Sequence, residues 1–192
     1  MRLFGEFAEG PRVAVSGALR LARVLPILRV IRSPSVRELE SVVNSSGRNG
    51  SLAPDVLVSL RQRRAELVGS TDVLLPDYYE ATAVAMGLWI ADPGGLAAAA
   101  AFSKTNAVAA NLWECCDDIV HRAHAFASPP LSGLRTTLRG VENMWFERDL
   151  ELLSSPVDPQ EVLTARLRDI AGKMAGRRDI AETIARCAGW TR

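Results

Sequence analysis

The stretch LAAAAAFSKTNAVAANLWECCDDIVHRAHAF, residues 96–126, has the pattern of one long helix, or of two helices with a break near residues 103–106. Its alanine run lets neighbouring backbones approach closely, as a central helix of a bundle requires. Helix signals recur along the rest of the chain, while alternating strand patterns bounded by turns are scarce. We therefore predict an all-α protein, a compact bundle of about seven to eight helices with short connections.

The first predicted helix, from Pro11 to Leu25, is amphipathic, and Pro26 is expected to kink or end it. Ser35 and Glu38 form a capping-box pattern for the second helix. Near the carboxyl end, Gly176 is expected to separate two short helices. We predict a helical bundle core over residues 1–155 and a C-terminal helical hairpin over residues 156–192, packed on the same domain.

The charge is unevenly distributed, although the net charge is only +1. Residues 1–64 carry 11 arginines and five acids, a charge of +6, whereas residues 65–134 carry eight acids and two bases, a charge of −6. Residues 135–192 contribute the remaining +1. Segments of opposite sign can pair within a fold or address different partners, and we favour internal pairing because a compact chain brings its segments together.

The three cysteines are an odd number without Cys-x-x-Cys spacing, which indicates a reducing compartment and argues against a disulfide framework or a thiolate zinc site. The apolar stretch over residues 13–31 is interrupted by three arginines, so no transmembrane segment and no signal peptide is expected. The arginine and alanine bias suggests a bacterial coding sequence. We expect a cytoplasmic bacterial protein.

Both histidines of the chain lie within the long helix, beside several carboxylates. Residues three and four positions apart are neighbours on a helix surface, so one face opposite the apolar stripe presents a converging set of possible metal ligands. A divalent cation is the cofactor that this set would bind, while a merely solvated face is the competing interpretation and requires no cofactor. The set consists of Glu114, Asp117, Asp118 and His121, with His124 at its edge as a candidate catalytic acid or base.

A metal site would need a second helix, and the stretch NMWFERDLE, residues 143–151, offers Glu147 and Glu151 on successive turns. With Asn143, this spacing resembles the second metal motif of terpene cyclases, and DDIVH, residues 117–121, resembles their aspartate-rich motif. His121 stands where that family has an acid, Glu147 stands where it has serine or threonine, and the chain is much shorter. We therefore do not assign the chain to terpene cyclases.

The densest basic run is RQRR, in which Arg61, Arg63 and Arg64 are candidate phosphate contacts for a nucleic acid. Four residues are a small footprint for such a surface, and a solvated face next to the acidic middle segment is the favoured interpretation.

No nucleotide-binding loop, catalytic triad or thiolate zinc set is found in the sequence. The leading hypothesis is therefore a helical interaction protein, an adaptor, regulator or assembly subunit that binds a protein partner or a second copy of itself, and not an enzyme. A metal-dependent helical enzyme with its site on residues 111–126 is the first alternative. Nucleic-acid binding through the basic first third is the second.

Overall fold

The computed structural model describes residues 11–46, 52–92, 97–126, 137–172 and 174–190. These residues form eight α-helices and no strand, which confirms the predicted all-α bundle. In chain order the helices are α1 (Pro11–Val30), α2 (Val36–Ser45), α3 (Pro54–Glu66), α4 (Pro76–Ala91), α5 (Ala98–Phe126), α6 (Leu138–Ser154), α7 (Pro159–Gly172) and α8 (Met174–Cys187).

The first helix, α1, lies at the centre of the bundle. It packs against α2, α4, α5, α6, α7 and α8, and every residue from Val15 to Leu28 is buried. The helix does not end at Pro26 but continues to Val30. Proline costs a helix one backbone hydrogen bond, and we attribute its tolerance here to the packing that surrounds α1 on all sides.

Two glycines allow the helices to approach closely. A Cβ atom at Gly17 of α1 would lie 2.8 Å from Cγ1 of Ile90. A Cβ atom at Gly87 of α4 would lie 2.6 Å from Cδ2 of Leu39, a side chain that is fully buried. Both distances are shorter than carbon atoms tolerate, so alanine at either position would require the side chain of Ile90 or Leu39 to move.

The long helix α5 is continuous from Ala98 to Phe126, which selects the first of the two predicted alternatives. Near the expected break, the hydroxyl of Thr105 donates a hydrogen bond to the carbonyl of Ala101 one turn earlier, at 2.9 Å. Such a bond satisfies the buried hydroxyl without interrupting the helix.

Two local predictions differ from the structure. The hydroxyl of Ser35 makes no cap hydrogen bond and instead donates to Glu80 at 2.6 Å, because the buried carboxylate of Glu80 competes for it. Gly176 lies inside α8, since α7 ends at Gly172 and α8 begins at Met174. Both α7 and α8 pack against α1, and the division near residue 155 stays a prediction. In the described ranges, no helix has the length and apolar character that crossing a bilayer requires.

Candidate functional site

The acidic face of α5 is used partly for contacts with α6. Glu114 forms an ion pair with Arg139, at 2.8 Å between Oε2 and Nη1. Asp117 accepts the backbone amides of Leu138 and Arg139, at 2.7 and 3.0 Å, one with each carboxylate oxygen. These amides belong to the first turn of α6, where helix amides lack partners within the helix and where negative charge is favourable. Asp117 therefore anchors the start of α6.

The other candidate metal ligands lie on exposed surface: Asp118, His121, Glu147 and Glu151. Among the described residues, no group of three or more histidine, cysteine, aspartate or glutamate side chains could hold a metal ion. His124 belongs to α5, but its side chain lies outside the described residues, so its proposed acid–base role is not located. The metal and acid–base hypotheses stay predictions.

Two acids of α6 that the sequence did not single out point into the bundle. Glu142 and Asp149, seven residues apart, are 3% and 0% exposed, and both bind Arg23 of α1. Nε of Arg23 donates to both oxygens of Glu142, at 2.9 and 2.8 Å, and Nη1 donates to Asp149 at 2.6 Å. A buried guanidinium thus holds two buried carboxylates of one helix.

Arg166 of α7 completes this buried ion network, which consists of Arg23, Glu142, Asp149 and Arg166. Nε of Arg166 donates to the second oxygen of Asp149 at 2.7 Å, and Nη1 donates to Asp169 at 2.8 Å. The Arg166 guanidinium also lies over the ring of Trp145, 4.7 Å from its centroid. One carboxylate, that of Asp149, therefore joins α1 and α7 to α6.

Arg20, one turn before Arg23, is buried without a carboxylate partner among the described residues. Nη1 donates to the backbone carbonyl of Asn106 at 3.1 Å, and the guanidinium lies 3.7 Å from the ring centroid of Phe146. Burial lowers the pKa of Arg20 to about 10, although the nearby charge of Glu142 acts in the opposite direction. Nε of Arg20 has no hydrogen-bond partner in the described part of the chain. Charged Arg20 is thus held at a free-energy cost.

Arg23 keeps its charge near neutral pH. Burial disfavours the charged form of Arg23, but the attraction of Glu142 and Asp149 outweighs it and raises the pKa of Arg23 above its usual value. The four side chains of the network are at most 5% exposed, so the arrangement suits a structural link among three helices better than a catalytic centre. One weak sign of this network was visible in the sequence: Arg20 and Arg23 lie three positions apart on a helix whose other residues are mostly apolar.

The arginines of the RQRR run, at the end of α3, all have partners within the fold. Arg61 pairs with Asp92. Arg63 binds Glu80 and Glu66, at 2.8 and 2.9 Å, and Nη1 of Arg64 donates to the carbonyl of Ala81 at 3.2 Å. Burial disfavours ionised Glu80, but the contacts with Arg63 and Ser35 outweigh this effect and lower its pKa. Nucleic-acid contacts by these arginines stay a prediction.

The two adjacent cysteines of α5 differ in burial, since Cys116 is buried and Cys115 is half-buried. Burial raises the pKa of Cys116 far above its usual value, and it also raises the pKa of Cys115, which lies 3.9 Å from the hydroxyl of Tyr78. A thiol reacts as its thiolate, so these raised pKa values favour the less reactive thiol form near neutral pH.

Exposed apolar side chains are concentrated in α3 and in the loop that leads to α4. This α3–α4 surface consists of Val58, Val68, Leu74 and Leu75, which are 60%, 78%, 45% and 53% exposed. Single exposed apolar residues are ordinary on proteins, whereas exposed apolar side chains that form one patch are typical of an interaction surface.

Comparisons with known proteins identify no relative of the chain. No family model matches it, and neither a curated protein nor a solved structure matches it. The geometry of the molecule is therefore the basis for any proposal about its function.

Proposed function

We propose that the protein is a cytoplasmic bacterial interaction protein, an adaptor, regulator or assembly subunit that binds a protein partner through the α3–α4 surface. The observation that carries this proposal is the exposure of four large apolar side chains between residues 58 and 75. The three free cysteines are consistent with a reducing compartment.

The loop part of this surface is held in place by hydrogen bonds, which favours binding. The carbonyl of Leu74 accepts the indole Nε1 of Trp190 at 2.7 Å, and its amide donates to the carboxylate of Asp72 at 2.9 Å. The amide of Leu75 donates to the carbonyl of Asp72 at 3.0 Å. A surface that is already ordered loses less conformational entropy when a partner binds.

The expected affinity can be estimated from the exposed fractions. Covering the four side chains would contribute about 5 kcal/mol, scaled from the values for fully burying valine and leucine. Association itself costs about 4–15 kcal/mol of lost motion, so these side chains alone support only a weak complex. A stable complex therefore needs polar contacts around these side chains. The exposed Arg61 and Arg64 could provide them, since both lie on α3 with Val58.

The proposal is tested with the full chain and two double variants. Val68→Ser/Leu75→Ser removes apolar character from the α3–α4 surface, and Met144→Ser/Val157→Ser is the matched control, since its two side chains are also exposed, at 60% and 42%. Sedimentation equilibrium measures self-association. Retention on the immobilised chain measures the binding of other proteins from an extract of the cells in which the protein occurs.

We expect association or retention to be lost in the α3–α4 variant and kept in the control. If the α3–α4 variant retains the same partners with the same affinity as the unchanged chain, or if no partner and no self-association is found, the proposal is wrong.

A further inference from the structure

A second feature, independent of the α3–α4 surface, lies at the carboxyl end of α1. There α1 and α8 enclose a groove of about 830 Å³, with Pro26, Arg29 and Val30 on one wall and Arg178, Thr183 and Arg186 on the other. This size lies within the range of sites that bind small molecules. We call this concavity the α1–α8 groove.

The arginines of the groove have partners that a ligand could displace. Nη2 of Arg186 donates to the hydroxyl of Thr183 at 3.2 Å and binds no carboxylate among the described residues. Arg178 pairs with Glu182, and Arg29 pairs with Glu40, but all four side chains are at least a third exposed. Solvent-exposed pairs contribute little free energy and exchange readily, whereas guanidinium groups bind carboxylate and phosphate oxygens in bidentate fashion.

A smaller recess of about 260 Å³ adjoins the groove and shares Pro26 and Arg29 with it. Proline has no amide hydrogen, so the carbonyl of Ala22, four residues earlier, cannot receive its usual helical hydrogen bond from Pro26. Ala22 lines this recess. Ala22, whose carbonyl lacks its helical donor, therefore lines the same recess as Arg29.

We propose that the α1–α8 groove binds a small organic oxyanion, a carboxylate or phosphate compound that also carries a hydroxyl or amine. Arg29 and Arg186 bind the anionic group, and the Ala22 carbonyl accepts a hydrogen bond from the donor group. Asp179 and Glu182 also line the groove. Their negative charges oppose an extended polyanion such as a nucleic acid, so the ligand is a small molecule.

Binding is measured by calorimetry with citrate, tricarballylate and inorganic phosphate, at an ionic strength held constant with sodium chloride. Citrate and tricarballylate share three carboxylates, but only citrate carries a hydroxyl. We expect saturable binding of citrate, of phosphate or of both, and binding of one alone identifies the preferred anionic group. If citrate binds, tricarballylate should bind about 3- to 10-fold more weakly because it cannot donate to the Ala22 carbonyl.

The variants Arg29→Gln and Arg186→Gln should each weaken binding at least about tenfold, since each removes a charged bidentate contact. Arg148→Gln is the matched control, because Arg148 is an exposed arginine of α6 outside the groove. The proposal is overturned if neither citrate nor phosphate binds saturably, or if the control weakens binding as much as the groove variants. Equal affinity for citrate and tricarballylate would overturn the role of Ala22.

Discussion

Replacing Arg23 by methionine is the most informative perturbation of the buried ion network. Methionine fills much of the same space but removes three charge-assisted hydrogen bonds, two to Glu142 and one to Asp149. Asp149 would keep its contact with Arg166. Glu142 would lose its sole hydrogen-bond partner among the described residues, at a position where it is 3% exposed.

The expected magnitude follows from this unpaired carboxylate. A buried charge without a partner costs several kcal/mol, and breaking a buried pair by removing one member typically costs about 3–5 kcal/mol. We therefore expect Arg23→Met to lower the free energy of unfolding by about 4 kcal/mol at pH 7.

The assay is urea unfolding at pH 7, followed by the fluorescence of the four tryptophans. The double variant Arg23→Met/Glu142→Gln serves as the control, since a neutral amide has no charge to bury. It should recover about 2 kcal/mol of the loss at pH 7. A loss for Arg23→Met below about 1 kcal/mol at pH 7, or a double variant that recovers none of the loss, would refute the reasoning.

Three further predictions concern other parts of the fold. Arg20→Met should leave the free energy of unfolding unchanged, or raise it by up to about 2 kcal/mol in urea unfolding, because Arg20 is buried without a carboxylate partner among the described residues. Burial lowers the pKa of Arg20 to about 10, so the unchanged protein should gain stability relative to this variant only as the pH rises above 10. Gly87→Ala should lower the melting temperature through a loss of about 1–2 kcal/mol, whereas Gly172→Ala, where a Cβ meets no atom within 4 Å, should raise it slightly. Asp117→Ala should lower the free energy of unfolding by about 1–2 kcal/mol in the same urea assay, because two amides of α6 lose their acceptor. Asp118→Ala, at an exposed position of the same helix, should lower it by less than about 0.5 kcal/mol, and equal effects of the two variants would contradict the anchoring role of Asp117.

The helices were predictable because the sequence marks their ends locally. Pro54, Pro76 and Pro159 each begin a helix, as proline does where the first-turn amides have no helical partner. The continuity of α5 was not decided by the sequence, because Ser103 to Asn106 neither favours nor breaks a helix strongly. The position of the α7–α8 junction was not decided by the sequence either, since a glycine such as Gly176 weakens a helix without necessarily ending it.

The surroundings of α1 were not predictable from its periodicity. A period of 3.6 residues shows that Arg12, Ser16, Arg20 and Arg23 share one face, but it does not show what covers that face. In the structure Arg12 donates to backbone carbonyls of Leu153 and Ser155, at the end of α6. The arginine face of α1 therefore lies along α6 and not against water.

The acids of α6 that were predicted as metal ligands did not include the buried Glu142 and Asp149, for the same reason. Glu142, Glu147, Asp149 and Glu151 lie on one short helix, and sequence alone treats them alike. The partners that distinguish them, Arg23 and Arg166, are contributed by helices distant in the chain. The segment charges did not indicate these pairs, because Glu142 and Asp149 belong to residues 135–192, whose net charge is +1. They did indicate that basic residues of the first segment pair with acids of the middle one, as Arg63 does with Glu80.

The ion network also explains how so apolar a central helix is held in one orientation. Leucine, valine and alanine dominate the other faces of α1, and such side chains tolerate small rotations with little change in buried area. A shift by one residue would turn Arg23 by about 100° and leave Glu142 and Asp149 unpaired in the interior. Since that arrangement would cost several kcal/mol, the charged residues select which helices lie beside which face of α1, even where an apolar replacement would be equally stable.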